Sequence, residues 1–148
     1  MSFDLFLQTA RDGDTFKRTL FEEIMSRGAI NPELPLEDVN YPDGGCREIV
    51  IEDEEDIDSA SFSRFGGDTF FQRLWELADR TNSFIWWPDV GSPVAVTRQD
   101  MISQLPEGVL DAEEDPYVVR SGKELENAIL FAIEPDEPEG DDEGEESG

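Results

Sequence analysis

The densest group of chemically capable side chains lies in IVIEDEEDIDSASFSRF, residues 49–65. There Glu52, Asp53, Glu54, Glu55, Asp56 and Asp58 fill six of seven positions. Carboxylates this close together can ligate a hard cation, exchange protons or present a negative surface. A calcium loop of the EF-hand kind fails on spacing. Counted from Asp53, the sixth residue, where the turn needs glycine, is Asp58, and the twelfth, where a bidentate glutamate belongs, is Arg64. Three readings stay open: a patch that meets a basic partner, a less regular carboxylate metal site, and a solvated hairpin tip whose charges discourage edge-to-edge strand association.

Trp86 and Trp87 are the second candidate pair. Adjacent residues on a strand point to opposite faces, so at most one can enter a given core. The other meets a second layer, a groove or solvent, and tryptophan there is a frequent interface anchor. Trp75 falls on the apolar stripe of a helix and is expected in the core.

The chain has no histidine and a single cysteine, Cys46. Ser-His-Asp and Cys-His catalysis are excluded, as are zinc sites of the Cys/His type and any intramolecular disulfide. No phosphate-binding G-x-x-x-x-G-K-[ST] is present, and RFGGD is a turn rather than a dinucleotide loop. No cofactor is implied. Cys46 follows two glycines at the start of a strand, where a small packed side chain is expected.

Charge narrows the partners. The chain carries 37 acids against 11 bases. Nine of the acids lie in Glu134–Gly148, which holds no base, so residues 1–133 keep 28 acids against 11 bases, a net −17. Such a field repels DNA, RNA and anionic membranes and favours a basic protein. The opening MSFDLFLQTARDGD lacks a basic segment followed by an apolar run, and the longest apolar run, AILFAI, is far too short to span a bilayer. The expectation is a soluble cytoplasmic protein. The tail, rich in Pro, Glu, Asp and Gly, is expected to be disordered.

These side chains need a scaffold, and the periodicity supplies one. FDLFLQT reads as a strand, and residues 15–27 read as a helix with Asp14 or Thr15 as cap and Gly28 as its C-terminal glycine. NPELPLEDVNYPDGG reads as loop, closing on a turn before the strand CREIVIE. SASFSRF is another strand, joined to the first across EDEED as a hairpin. Gly66-Gly67 stops it, and Asp68 or Thr69 opens a helix reaching Thr81. SFIWWP and SPVAVT read as strands. Thr97 then caps a short helix, RQDMISQL, before the acidic loop EGVLDAEEDP. YVVR is a short strand, and Ser121 with Glu124 forms a capping box for a last helix whose stripe is Leu125, Ala128, Ile129, Ala132 and Ile133. Residues 1–133 therefore read as one α+β domain, with a mostly antiparallel or mixed sheet of about five or six strands covered by three or four helices.

MSFDLFLQ opening straight into a strand, and YVVRSGKELENAI running strand, cap and amphipathic helix, resemble the small acidic bacterial immunity proteins of toxin–immunity systems. The resemblance rests on about twenty residues and the acidic, histidine-free layout. It implies a non-enzymatic protein that binds a cognate toxin and blocks its active site, and it carries no site residues with it. The expected function is neutralisation of a basic protein partner, such as a toxin domain, through Glu52, Asp53, Glu54, Glu55, Asp56, Asp58, Trp86 and Trp87. The alternatives are a carboxylate-based metal-binding protein or enzyme, a nucleic-acid-mimic inhibitor, and a general interaction protein whose acidity serves solubility.

Overall fold

In LFLQT, Leu5 and Leu7 are buried while Phe6 and Gln8 turn the other way, the period of two that defines a strand with two unlike faces. This strand, β1 (Leu5–Thr9), lies at the middle of the fold. The computed structural model describes residues 4–11, 14–30, 36–88, 93–105 and 116–133, with backbone alone for the last four. The elements after β1 are β2 (Phe16–Lys17), α1 (Arg18–Ser26), β3 (Val39–Tyr41), β4 (Gly44–Val50), β5 (Asp56–Ile57) and β6 (Ser59–Gly66). Then come α2 (Asp68–Arg80), β7 (Ser83–Trp86), β8 (Val94–Val96), a 3-10 helix (Gln99–Gln104), β9 (Tyr117–Val118) and α3 (Gly122–Ile133).

Seven strands form one sheet in the order β3-β4-β6-β1-β7-β8-β9, antiparallel except for the β8–β9 pair. The fold is thus α+β with a mixed, mainly antiparallel sheet, as expected. The additional strand, β3, lies in the proline-rich segment read as loop. It survives there because Gly44 and Gly45 let its hairpin partner approach closely. A Cβ on Gly45 would fall 2.1 Å from the Val39 carbonyl oxygen.

The three helices share one core with one sheet face. Leu5, Leu7, Phe62 and Ile85 meet Phe21 and Ile24 of α1, Phe70, Leu74 and Leu77 of α2, and Leu125 and Ile129 of α3. The Tyr41 hydroxyl donates to the Met25 carbonyl and ties β3 to the end of α1. The side chains of Ala132 and Ile133, expected on the α3 stripe, lie outside the described residues, as do Glu134–Gly148 and most of EGVLDAEEDP.

Several local readings change. Phe16 and Lys17 are a strand rather than helix, because they pair with Ile57 and Asp56. The first turn of α2 receives no side-chain cap from Gly67. Instead Asp43, from the β3–β4 turn, accepts from the Thr69 amide at 3.1 Å and the Thr69 hydroxyl at 3.2 Å. Thr97 does not cap. Its hydroxyl donates to Asp79 at 2.9 Å, and Arg98 binds the same carboxylate at 2.6 Å. Ser121 does cap α3, accepting from the Glu124 amide at 3.2 Å, while Glu124 reaches back to the Arg120 amide at 2.8 Å.

Candidate partner-binding face

The far face of the sheet is covered only in part. Met101 and Leu105, in and just after the 3-10 helix, pack on Phe84, Val94, Val96 and Ala10, closing the β7–β8 half with a second small core. Among the described residues nothing equivalent covers the half formed by β4, β6 and β1. Its outward residues are Phe6 and Gln8 of β1, Ser59 and Ser61 of β6, and Val50 at the end of β4. Serines at these positions keep the face wettable and shallow. Val50, 55% exposed, does not fit a merely solvated face.

The two halves meet at an aromatic pair. Phe6 and Trp86 are cross-strand neighbours, and their rings stack with centroids 4.4 Å apart at 19°. Both are half-buried. They form one wall of a concavity of about 390 Å³ whose floor is serine and alanine and whose opposite rim is Val50, Ile51 and Glu52. No Lys or Arg lines it among the described residues.

Trp87 takes the other side. It is fully enclosed in the helix-side core and stacks on Tyr117, with centroids 6.3 Å apart. Alternation along β7 sends the two tryptophans to opposite faces, as expected. Trp87 offers no surface to a partner in this fold and leaves the list of candidate binding residues. Trp75 lies against the core partly buried, and its indole N–H donates to the Val119 carbonyl at 2.8 Å.

The β4–β6 pairing confirms the hairpin, with Val50 opposite Ser61 and Ile49 opposite Phe62. The acid run between them is not a free tip. Ile57 is buried to 1% exposure in the main core, and β5 pairs with β2. The Arg18 amide donates to the Glu55 carbonyl at 2.9 Å and the Thr9 amide to the Asp58 carbonyl at 3.0 Å, so the second half of the run, residues 55–58, is strapped down. A single isoleucine among six acids was the signal for this anchor.

The strap divides the acids. Asp53 pairs with Arg18 at 2.7 Å, and Lys17 pairs with Asp56 at 2.9 Å and Glu55 at 3.6 Å. The hydrogen bond and charge of Asp56, then the charge of Glu55, raise the Lys17 pKa above its ordinary value. Glu52, Glu54 and Asp58 are exposed and have no cationic partner among the described residues. The side chains of a solvated tip would all stay unpaired; here Asp53, Glu55 and Asp56 are paired with Arg18 or Lys17. Of the candidates, the structure brings Glu52 and Trp86 into one concavity. Phe6 and Val50 join them, and sequence reasoning missed both because each looks like an ordinary strand residue.

Among the described residues no group of three or more carboxylates or Cys46 is placed to hold a metal ion. Cys46 is buried, its thiol directed at the carbonyls of Glu48 and Ser63, and burial pushes its pKa up to about 11. No described helix is long and apolar enough to cross a membrane. Comparison with protein-family models, curated proteins and solved structures gives no match.

Proposed function

We propose that this chain is an acidic binding protein that docks a basic protein through the open half-face of its sheet, and that it serves as an immunity protein neutralising a cognate toxin. The observation that carries the reading is the juxtaposition of Glu52 with the Phe6–Trp86 stack and exposed Val50 around one concavity that no described base lines. An apolar, aromatic centre beside unpaired acids is the anatomy of an interface in which a few anchors dominate affinity. A lysine or arginine stem can lie on the Trp86 ring while its charge meets Glu52. The acids Glu54 and Asp58 extend the negative rim, and the −17 charge of residues 1–133 accelerates encounter with a cationic surface.

The test is calorimetry of the purified chain with a basic protein encoded beside it, at low and high salt, together with a growth assay in which the two are co-expressed. The reading expects binding, an association rate that falls steeply as salt screens the charges over ~8 Å, and relief of the partner's toxicity. A neighbouring basic protein that neither binds nor is neutralised would contradict it.

A further inference from the structure

A larger concavity, about 760 Å³, shares Val50, Ile51 and Glu52 with the first, and Arg18, Arg47 and Arg64 line it. In a chain with only 11 bases this is a concentration of cations. Arg18 is committed to Asp53. Arg47 and Arg64 are exposed, and neither has an ion pair or side-chain hydrogen bond among the described residues.

Their placement is costly. The β4–β6 register pairs Cys46 with Phe65 and Glu48 with Ser63, which leaves Arg47 and Arg64 on the rung between. Like charges on facing positions of two strands repel. Acids are abundant in this chain, yet among the described residues none stands at ion-pair distance from either guanidinium. The backbone adds a second cost, because Arg64 sits at φ 57°, a region that long side chains avoid. That left-handed residue breaks the alternation of β6. Phe62 and Phe65 both pack against the core, and Arg64 is delivered to the cleft.

We propose that Arg47 and Arg64 form an anion-binding site for a small organic acid, one that carries a carboxylate or phosphate headgroup on an apolar body. Two guanidinium forks lining one cleft match the oxygens of either headgroup, and a bound anion would relieve their mutual repulsion. Ile49, Val50 and Ile51 supply the apolar wall, and the volume is that of a small-molecule cleft. Glu37, Glu48, Glu52 and Asp53 also line the cleft and, with the negative field of the whole body, select against polyanions such as nucleic acid.

The test uses the full chain labelled with 15N, titrated separately with phenyl phosphate, benzoate and inorganic phosphate. The arginine Nε–Hε signals and the amides of residues 47–51 are followed. Phenyl phosphate or benzoate should give saturating shifts at Arg47 and Arg64 with a Kd of about 1 mM or tighter, and the tighter of the two identifies the headgroup. Inorganic phosphate should bind at least about tenfold more weakly, because it buries no apolar surface. The R47Q/R64Q variant should lose the binding. Arg64→Gly, which accepts the left-handed backbone, should melt no lower than the wild type and still weaken binding, which separates recognition from folding. Absence of saturation with both organic acids, or unchanged affinity in R47Q/R64Q, would overturn the site. Equal affinity for inorganic and phenyl phosphate would overturn the apolar half of the proposal.

Discussion

Trp86 and Glu52, 34 residues apart in the chain, line the same concavity on the uncovered half of the sheet. Three geometric facts bring them together. Alternation along β7 turns Trp86 away from the helices. Stacking on Phe6 holds its ring at the edge of the second core. The strap through Ile57 carries the chain past the end of β4, so Glu52 sits on the rim and does not trail into solvent.

The strap gives the first prediction. Ile57→Ala should destabilise the protein by about 2–5 kcal/mol, the range for truncating a buried aliphatic side chain. Glu54→Ser, three residues away and unpaired, should change stability by no more than about 0.5 kcal/mol. Urea unfolding of the two variants checks this. Equal, small effects would mean that the acid run is a free tip after all.

The glycines at the β3–β4 turn give the second. In Gly45→Ala the new Cβ would meet the Val39 carbonyl oxygen at 2.1 Å with the backbone held at φ 154°. Relief requires moving backbone, so the loss should exceed about 3 kcal/mol or prevent folding. At Gly66, where an added Cβ meets nothing within 4 Å, alanine should be tolerated. Circular dichroism melts of both variants decide the matter, and a well-folded Gly45→Ala would contradict the β3–β4 pairing described here.

Asp43 gives the third. The Thr69 amide, donating to its carboxylate, holds its pKa below the ordinary value of 3.8. A carboxyl depressed in the folded state stabilises above its unfolded pKa, and that contribution disappears as pH falls through the folded value. Asp43→Ala should therefore melt lower than the wild type at pH 7, and the gap should close below about pH 4. A gap that stays constant down to pH 2 would show that Asp43 acts by packing rather than as the charged cap of α2.

How far these features were legible differs from residue to residue. The strand at Leu5, the helix with Phe70 and Leu74, and the Ser121–Glu124 cap each follow from local periodicity or a local motif, and all are present. Two misses are contacts between distant segments. Phe16 reads as helical by spacing, but its pairing with Ile57 overrides that. The cap of α2 comes from Asp43, 26 residues before Thr69. β3 is short and flanked by prolines, so its own sequence argues for loop. The site was half legible. Alternation separates Trp86 from Trp87, but which one meets solvent depends on which face the helices take, and three helix stripes do not encode that choice.

Cys46 supplies a fourth prediction. Its thiol is buried and its pKa is pushed up to about 11, so at pH 8 iodoacetamide should label it only as fast as the β4–β6 region opens. Labelling should become rapid in denaturant. Fast labelling of the native protein would place Cys46 at the surface and contradict the Cys46–Phe65 and Glu48–Ser63 register that flanks Arg47 and Arg64.

The most direct measurement of the central claim is the affinity of a W86A/E52K variant for a basic partner captured by the wild-type chain at low salt. Trp86→Ala removes the aromatic anchor, and Glu52→Lys reverses the charge on the rim facing it. Neither residue is in the main helix-side core, so the variant should fold. The account expects a loss of at least about tenfold in Kd, with E52K alone acting mainly on the association rate. Wild-type affinity in the double variant, with the fold intact, would place the interface elsewhere and contradict it.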